Sequence, residues 1–245
     1  MKVIVCKDYD EMSKEAAQIF IKQIQEKHDS VLGLATGSSP IGMYKELIKA
    51  NKEGSIDFKD VITFNLDEYV GLNKDHPASY YYFMNENLFD HINIDKKNTH
   101  IPHAEGTDLE KAAKEYEESL SHYEIDLQVL GVGKNGHIGF NEPGDDLSSV
   151  TYVQELSEST RVANSRFFDD IDDVPKFAIT MGVGSIFKAK KIVLIASGTQ
   201  KSFAIDYLLN SKKISSKVPV SLLNLHPDVT VIIDEKLASL VIKSW

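Results

Sequence analysis

Four places in this chain put carboxylate, imidazole, hydroxyl or ammonium groups directly after a short apolar run. The densest is Leu130-Gly131-Val132-Gly133-Lys134-Asn135-Gly136-His137-Ile138-Gly139-Phe140-Asn141-Glu142-Pro143, which follows the apolar stretch 125–130. It offers an imidazole with a carboxylate five residues on, a pair suited to acid/base work. Asp67 and Glu68 follow 61–65, two adjacent carboxylates at a strand's end. Thr36-Gly37-Ser38-Ser39-Pro40 follows 31–35, and Ser197-Gly198-Thr199-Gln200-Lys201 follows 192–196. Each of these two turns runs from a strand through glycine and hydroxyls into a helix. Free N–H groups, hydroxyl donors and the helix dipole converge there, which suits an anion, although an ordinary capped turn reads the same way.

Gly131-x-Gly133-x-x-Gly136 also matches a dinucleotide-binding pattern. That pattern needs a helix to begin among the glycines. Residues 137–144 contain a further two glycines and a proline, which disfavour one. The loop is therefore read as presenting His137 and Glu142 to a small ligand.

Positioning these groups requires a framework, and the chain has the means to build one. Its 245 residues, 42% of them hydrophobic, supply the core of one large α/β domain. Nothing approaches a membrane span, the start lacks a secretory apolar run, and a lone cysteine excludes an internal disulfide. A cytoplasmic location is expected. A net charge of −10, without basic runs, argues against nucleic acid and anionic membrane as partners. It leaves room for an anionic small molecule held locally.

Strands are expected at 1–6, 31–35, 61–65, 125–130, 177–180, 192–196 and 229–233. Helices are expected at 9–27, 41–53 (Ser39 as N-cap), 80–89, 109–123, near 161–167 and from 197 through 209. This alternation specifies an open, mostly parallel Rossmann-like sheet with helices on both faces. The acidic stretch 143–176 reads as a lid excursion over the C-terminal strand edge, within a single domain spanning 1–245. The strand at 177–180 is expected to return to the main sheet. There is no serine elbow, Walker loop or Cys/His metal spacing.

The motifs Phe64-Asn65-Leu66-Asp67-Glu68-Tyr69, Gly131 to Pro143 and Thr160-Arg161-Val162-Ala163-Asn164-Ser165-Arg166-Phe167-Phe168 closely resemble those of glucosamine-6-phosphate deaminases. The two Gly/hydroxyl turns match as well, in the same order, so the resemblance covers nearly the whole chain. It implies cofactor-independent conversion of glucosamine 6-phosphate and water to fructose 6-phosphate and ammonia, without a metal. It also implies that His137 opens the sugar ring, Glu142 orients and charges His137, and Asp67 moves a proton from C2 to C1. Thr36, Gly37, Ser38, Ser39, Arg166 and Lys201 would hold the phosphate.

Two departures stand out. Some members of the family carry Asp where this chain has Asn135, an amide that hydrogen-bonds but cannot buffer charge, so His137 would lean more on Glu142. Regulated bacterial members bind a phosphosugar activator through basic side chains just after Asn-Glu-Pro. Here no Lys or Arg lies between Lys134 and Arg161, so activation by N-acetylglucosamine 6-phosphate is not expected. The competing readings are a 6-phosphogluconolactonase-like hydrolase, which shares the fold and a Gly-His loop, and a sugar-phosphate sensor without catalysis. A homo-oligomer is left open.

Overall fold

The computed structural model describes residues 1–103, 108–165 and 168–242. Its main sheet has seven strands: β1 (Lys2–Cys6), β2 (Val31–Leu34), β3 (Ile62–Asn65), β5 (Thr99–His100), β6 (Leu127–Leu130), β9 (Lys191–Ala196) and β10 (Val229–Asp234). All pair in parallel, in the order β1-β10-β9-β6-β2-β3-β5. β2 and β6 are buried at every residue, because helices cover both faces of the sheet. Helix α1 (Tyr9–Glu26) shows how the sequence pattern becomes packing. Asp8 caps it by accepting from Glu11 N–H, and Met12, Ala16, Phe20 and Ile24 form the buried stripe.

From β2 the chain builds outward through β3 and β5, whereas β6, β9 and β10 build the opposite way. The direction therefore reverses between β2 and β6. That is where open α/β sheets leave a crevice beyond their strand ends. Two of the four reactive loops leave from these two strands.

A second sheet corrects one expectation. Phe177–Thr180 is β8, and it does not return to the main sheet. It pairs antiparallel with β4 (Asp67–Tyr69) and β7 (Tyr152–Glu155), in the order β4-β8-β7. A short apolar run records that a strand is buried but carries no mark of its partner, so the sequence could not separate the two sheets. Two smaller corrections concern caps. Helix α5 (Glu158–Asn164) starts earlier than the expected 161, because Ser157 accepts from Thr160 N–H, and the last two residues of the expected span, 166–167, lie outside the described residues. Helix α2 (Ile41–Lys52) has Pro40, not Ser39, at its N-cap, with no side-chain cap bond.

Glu117, on α4 (Leu109–Ser121), ties the second sheet to the body. It accepts from Thr151 N–H (3.0 Å) and Thr151 Oγ1, at the entry to β7. It also accepts from Ser185 Oγ on α6 (Val183–Phe187) and Lys188 Nζ. Burial works to raise its pKa, and these donors outweigh burial and hold it below the ordinary glutamate value. Glu117→Ala should cost about 2 kcal/mol, read as a lower urea midpoint. The folded value is depressed, so that contribution is full above the ordinary pKa and fades as pH falls through it. Wild-type and variant midpoints should therefore converge in acid.

Candidate active site

The site is assembled where β3 passes into β4 through a single residue, Leu66. Leu66 N–H still bonds Leu34 of β2 (3.1 Å), while its carbonyl accepts Met181 N–H beyond β8 (2.7 Å). Asp67 and Glu68 thus become the first residues of a buried strand, each only 6% exposed. Tyr69, Tyr80 and Phe140 pack beside them, with Tyr69 ring centroids 4.9 Å and 5.6 Å from the other two. The adjacent carboxyls meet different surroundings. Glu68 accepts three backbone N–H groups, from Tyr69, Tyr80 and Tyr81, at the start of α3 (Tyr80–Asn87). Burial pushes Glu68 up to about 7 against these donors. Burial, with Glu68 beside it, pushes Asp67 further, to about 8. Asp67 is the stronger base of the pair.

The glycine-rich loop brings its groups to this strand. No helix forms at 131–144, so the requirement for dinucleotide binding is unmet. A Cβ built on Gly133 would lie 2.2 Å from His137 Cε1: the imidazole lies across the Gly133 backbone, in space only glycine leaves open. Gly139 has φ +56°, and a Cβ there would sit 3.1 Å from Thr180 Oγ1 and 3.3 Å from Asp67 Oδ2. Thr180 pairs with Asp67 across β4–β8 and accepts Phe140 N–H at 3.2 Å. It therefore fixes the loop against the carboxyl.

Glu142 lies deeper in the loop, its side chain 11% exposed against 26% for His137. Its Oε1 is 3.5 Å from His137 Nδ1, an ion-pair distance without the alignment of a directed hydrogen bond. Asn135 Nδ2 donates to Oε2 at 2.9 Å, and Thr160 Oγ1 donates to Oε1. Burial alone would raise Glu142. The nearby His137 imidazole, then Thr160 and Asn135, reverse the effect and bring it down to about 2. Glu142 is thus a fixed negative charge facing an imidazole. Asn135 occupies the position that the departure from the family pattern made doubtful, and there it is a donor to Glu142.

The two turns converge at the same edge. Lys201 Nζ donates to Val132 O at 2.6 Å, and Ser39 Oγ is 3.8 Å from where a Gly131 Cβ would stand. The Thr36–Ser39 turn is braced by Tyr9, whose hydroxyl contacts Ser38 O (2.7 Å) and accepts Gly42 N–H (2.9 Å). Gly37 takes φ +88°. Lys201 ends a short 3-10 turn, Thr199–Lys201, ahead of α7 (Ser202–Asn210). Asp234 holds that turn by accepting from Ser197 Oγ and Gly198 N–H, and caps α8 (Glu235–Val241) through Leu237 N–H. Arg166 lies outside the described residues.

Sequence reasoning passed over Thr160, Thr180, Tyr9 and Asp234. Thr160 and Asp234 left a trace as N-terminal helix signals, whereas Tyr9 and Thr180 act across 29 and 40 residues and left none. Among the described residues, no group of three or more His, Cys, Asp or Glu side chains is arranged to hold a metal ion. No helix there is long and apolar enough to cross a membrane.

A parallel sheet with acid, base and anion-suited turns at its reversal point defines a class of α/β protein suited to acid/base work on a small anionic ligand, and the comparisons narrow it. Residues 7–232 match the family model described as glucosamine-6-phosphate isomerases/6-phosphogluconolactonase, and the chain belongs to that family. A glucosamine-6-phosphate deaminase of Thermoanaerobacter pseudethanolicus is 57% identical, over 98% of this chain and 95% of that protein. One from Clostridium perfringens is 53% identical, over 98% and 100%. Among solved structures, a monomeric glucosamine-6-phosphate deaminase aligns with TM-score 0.94 at 46% identity, covering 98% of this chain and all of that one. The 6-phosphogluconolactonase of Leishmania guyanensis aligns at 0.75 with 21% identity, over 97% of each, and shares the fold.

Two outcomes follow from this geometry. Gly133→Ala should displace the His137 ring and lower turnover about 100-fold while leaving the fold intact by circular dichroism. Asp67→Asn should stabilise the protein. The folded pKa of Asp67 lies above its ordinary value, so its contribution is full below that value and is lost as pH rises toward 8. The variant's gain in Tm should be small near about pH 4 and reach several degrees by about pH 8. A gain independent of pH would mean that Asp67 is not protonated in the fold.

Proposed function

We propose that this chain is a cofactor-independent glucosamine-6-phosphate deaminase, releasing fructose 6-phosphate and ammonia from glucosamine 6-phosphate and water. The observation carrying the reading is the pair of buried carboxyls with opposite characters, Asp67 as a strong base and Glu142 as a fixed charge behind His137. Relatives above 50% identity over nearly the whole chain, named for this activity, support it.

Each step has a group suited to it. His137 takes the O1 proton and delivers one to the ring oxygen, giving the open-chain aldehyde, and Glu142 stabilises the imidazolium formed in passing. Asp67 removes the proton from C2. O1 takes up a proton from the substrate's own ammonium group, giving the enolamine, and the same carboxyl then protonates C1, leaving a protonated imine at C2. Water adds to C2, and ammonia leaves as the carbonyl forms. A base near 8 is well matched to a carbon-bound proton, and its burial keeps water from competing for that proton. Ser38, Ser39, Lys201 and the backbone of the Thr36–Ser39 turn hold the phosphate, with Arg166 as the bidentate partner. The substrate's phosphate replaces Val132 O as the acceptor for Lys201.

The segment 143–176 serves as the lid of a single domain. Every residue in this scheme comes from one chain, so the chemistry does not require a homo-oligomer. A phosphorylated sugar does not cross a bilayer unaided, which suits work in the cytoplasm. No nucleic acid or membrane partner enters the scheme. With Asp145 and Asp146 at the start of the lid and Lys217 already paired to Asp145, activation by N-acetylglucosamine 6-phosphate is not expected.

The test is release of ammonia and fructose 6-phosphate from glucosamine 6-phosphate by the wild type and Asp67→Asn. Equimolar products, reduced about 1,000-fold in the variant, are expected. Turnover of 6-phosphogluconolactone instead would favour the lactonase reading, and binding without turnover the sensor. The pH dependence offers a separate check. A base must be ionised to act, so kcat/KM should rise as pH increases through about 8. The rate should be hyperbolic in substrate and unchanged by added N-acetylglucosamine 6-phosphate; a sigmoidal curve straightened by that sugar would refute the regulatory part.

A further inference from the structure

Glu142 receives a donor from a part of the chain that the scheme above leaves without a chemical task. Thr160 stands in the first turn of α5, only 6% exposed, and its hydroxyl donates to Glu142 Oε1. That is the oxygen facing His137 Nδ1. The Thr160 hydroxyl is itself oriented, because Ser157 Oγ donates to it at 3.0 Å while accepting Thr160 N–H at 3.2 Å. With its acceptor lone pair directed at Ser157, the Thr160 proton is left to point at Glu142. The helix carrying Thr160 is tied to the far side of the excursion by Arg161, which donates to Ile171 O (2.9 Å) and Val174 O (3.2 Å). A single hydroxyl thus joins this part of the lid segment to the acid/base pair.

We propose that Thr160 is a positioning residue of the ring-opening step, through which the docking of α5 sets the orientation of Glu142 toward His137. The assignment rests on the deaminase reading for its role in turnover, but not for the contact itself. Asn135 holds Oε2 and Thr160 holds Oε1, so the carboxylate plane is fixed from both ends. Without the Thr160 hydroxyl, Oε1 is free to swing away from Nδ1, and His137 loses its aligned counter-charge. If α5 moves off, the same loss follows, so the acid/base pair is complete only when this part of the excursion is in place. The hydroxyl is buried and engaged with Ser157 and Glu142, so its loss is expected to leave KM largely unchanged.

The decisive comparison uses Thr160→Val, nearly the same shape without the hydroxyl, and Thr160→Ser, which keeps it. For Thr160→Val, kcat for glucosamine 6-phosphate should fall about tenfold with KM changed less than about twofold. Thr160→Ser should restore most of the rate. The His137 ring resonances, assigned by difference against His137→Gln and titrated by NMR without substrate, should show an altered midpoint in Thr160→Val that Thr160→Ser returns to the wild-type value. Wild-type kcat and an unchanged His137 midpoint in Thr160→Val would overturn the proposal. So would equal losses in both variants that track a fall in Tm, since a packing role alone predicts that. If the wild type shows no deaminase turnover, the functional reading fails by itself. The His137 titration then decides the Thr160 contact alone, with a shift in Thr160→Val supporting it and no shift refuting it.

Discussion

The structure depends on a hand-over at Leu66, where one residue serves two sheets. Its N–H completes the parallel sheet at β2, and its carbonyl accepts from the end of β8 in the antiparallel one. With both backbone groups satisfied, the chain can turn out of β3 while it is still buried. The next residue, Asp67, is consequently placed inside the protein at the mouth of the crevice between β2 and β6. A loop at that position would have left Asp67 solvated, with the character of an ordinary surface acid. Its basicity is a product of this change of sheet.

Two carboxyls at the site then illustrate how burial alone decides nothing. Asp67 and Glu142 are both withdrawn from water, yet one is pushed up and the other down. Asp67 has a like charge beside it and, among the described residues, no hydrogen-bond donor to its side chain, so desolvation prevails. Glu142 has an imidazole, an amide and a hydroxyl around its two oxygens, and these outweigh the same penalty. Groups of the same chemistry are thereby separated into one that keeps its proton and one that keeps its charge. Glycine has a share in this. Gly133 leaves room for the His137 ring, and Gly139 bends the loop so that it lies against Asp67 and Thr180.

The anion-suited turns follow a similar rule of support from a distance. Tyr9 on α1 braces the turn after β2, and Asp234 at the end of β10 holds the turn that leads to Lys201. Both braces are polar side chains satisfied by backbone groups, the commonest way for a folded chain to hold a loop in one shape. The first turn is thus held by the helix that follows the edge strand β1, and the second by β10, the neighbour of β9, so the site depends on elements beyond its own loops.

Much of this was legible in the residues themselves. Apolar runs of four to six residues ending in Gly, Ser, Asp or His located six of the seven main-sheet strands and the four loops, because strand burial and turn chemistry are local properties, whereas the two-residue β5 has no such run. The adjacency of Asp67 to Glu68 and the spacing of His137 from Glu142 were visible for the same reason. The sequence alone determined an α/β sheet and which side chains stand at its strand ends. Only the tertiary structure decided that 177–180 joins Asp67 in a separate antiparallel sheet, and that Thr160 and Thr180 meet the glycine-rich loop. It alone also gave the two buried carboxyls opposite charge preferences. These are contacts between residues 18 to 113 positions apart. Their energy comes from desolvation and hydrogen-bond partners that exist only once the chain has folded, so no local pattern encodes them.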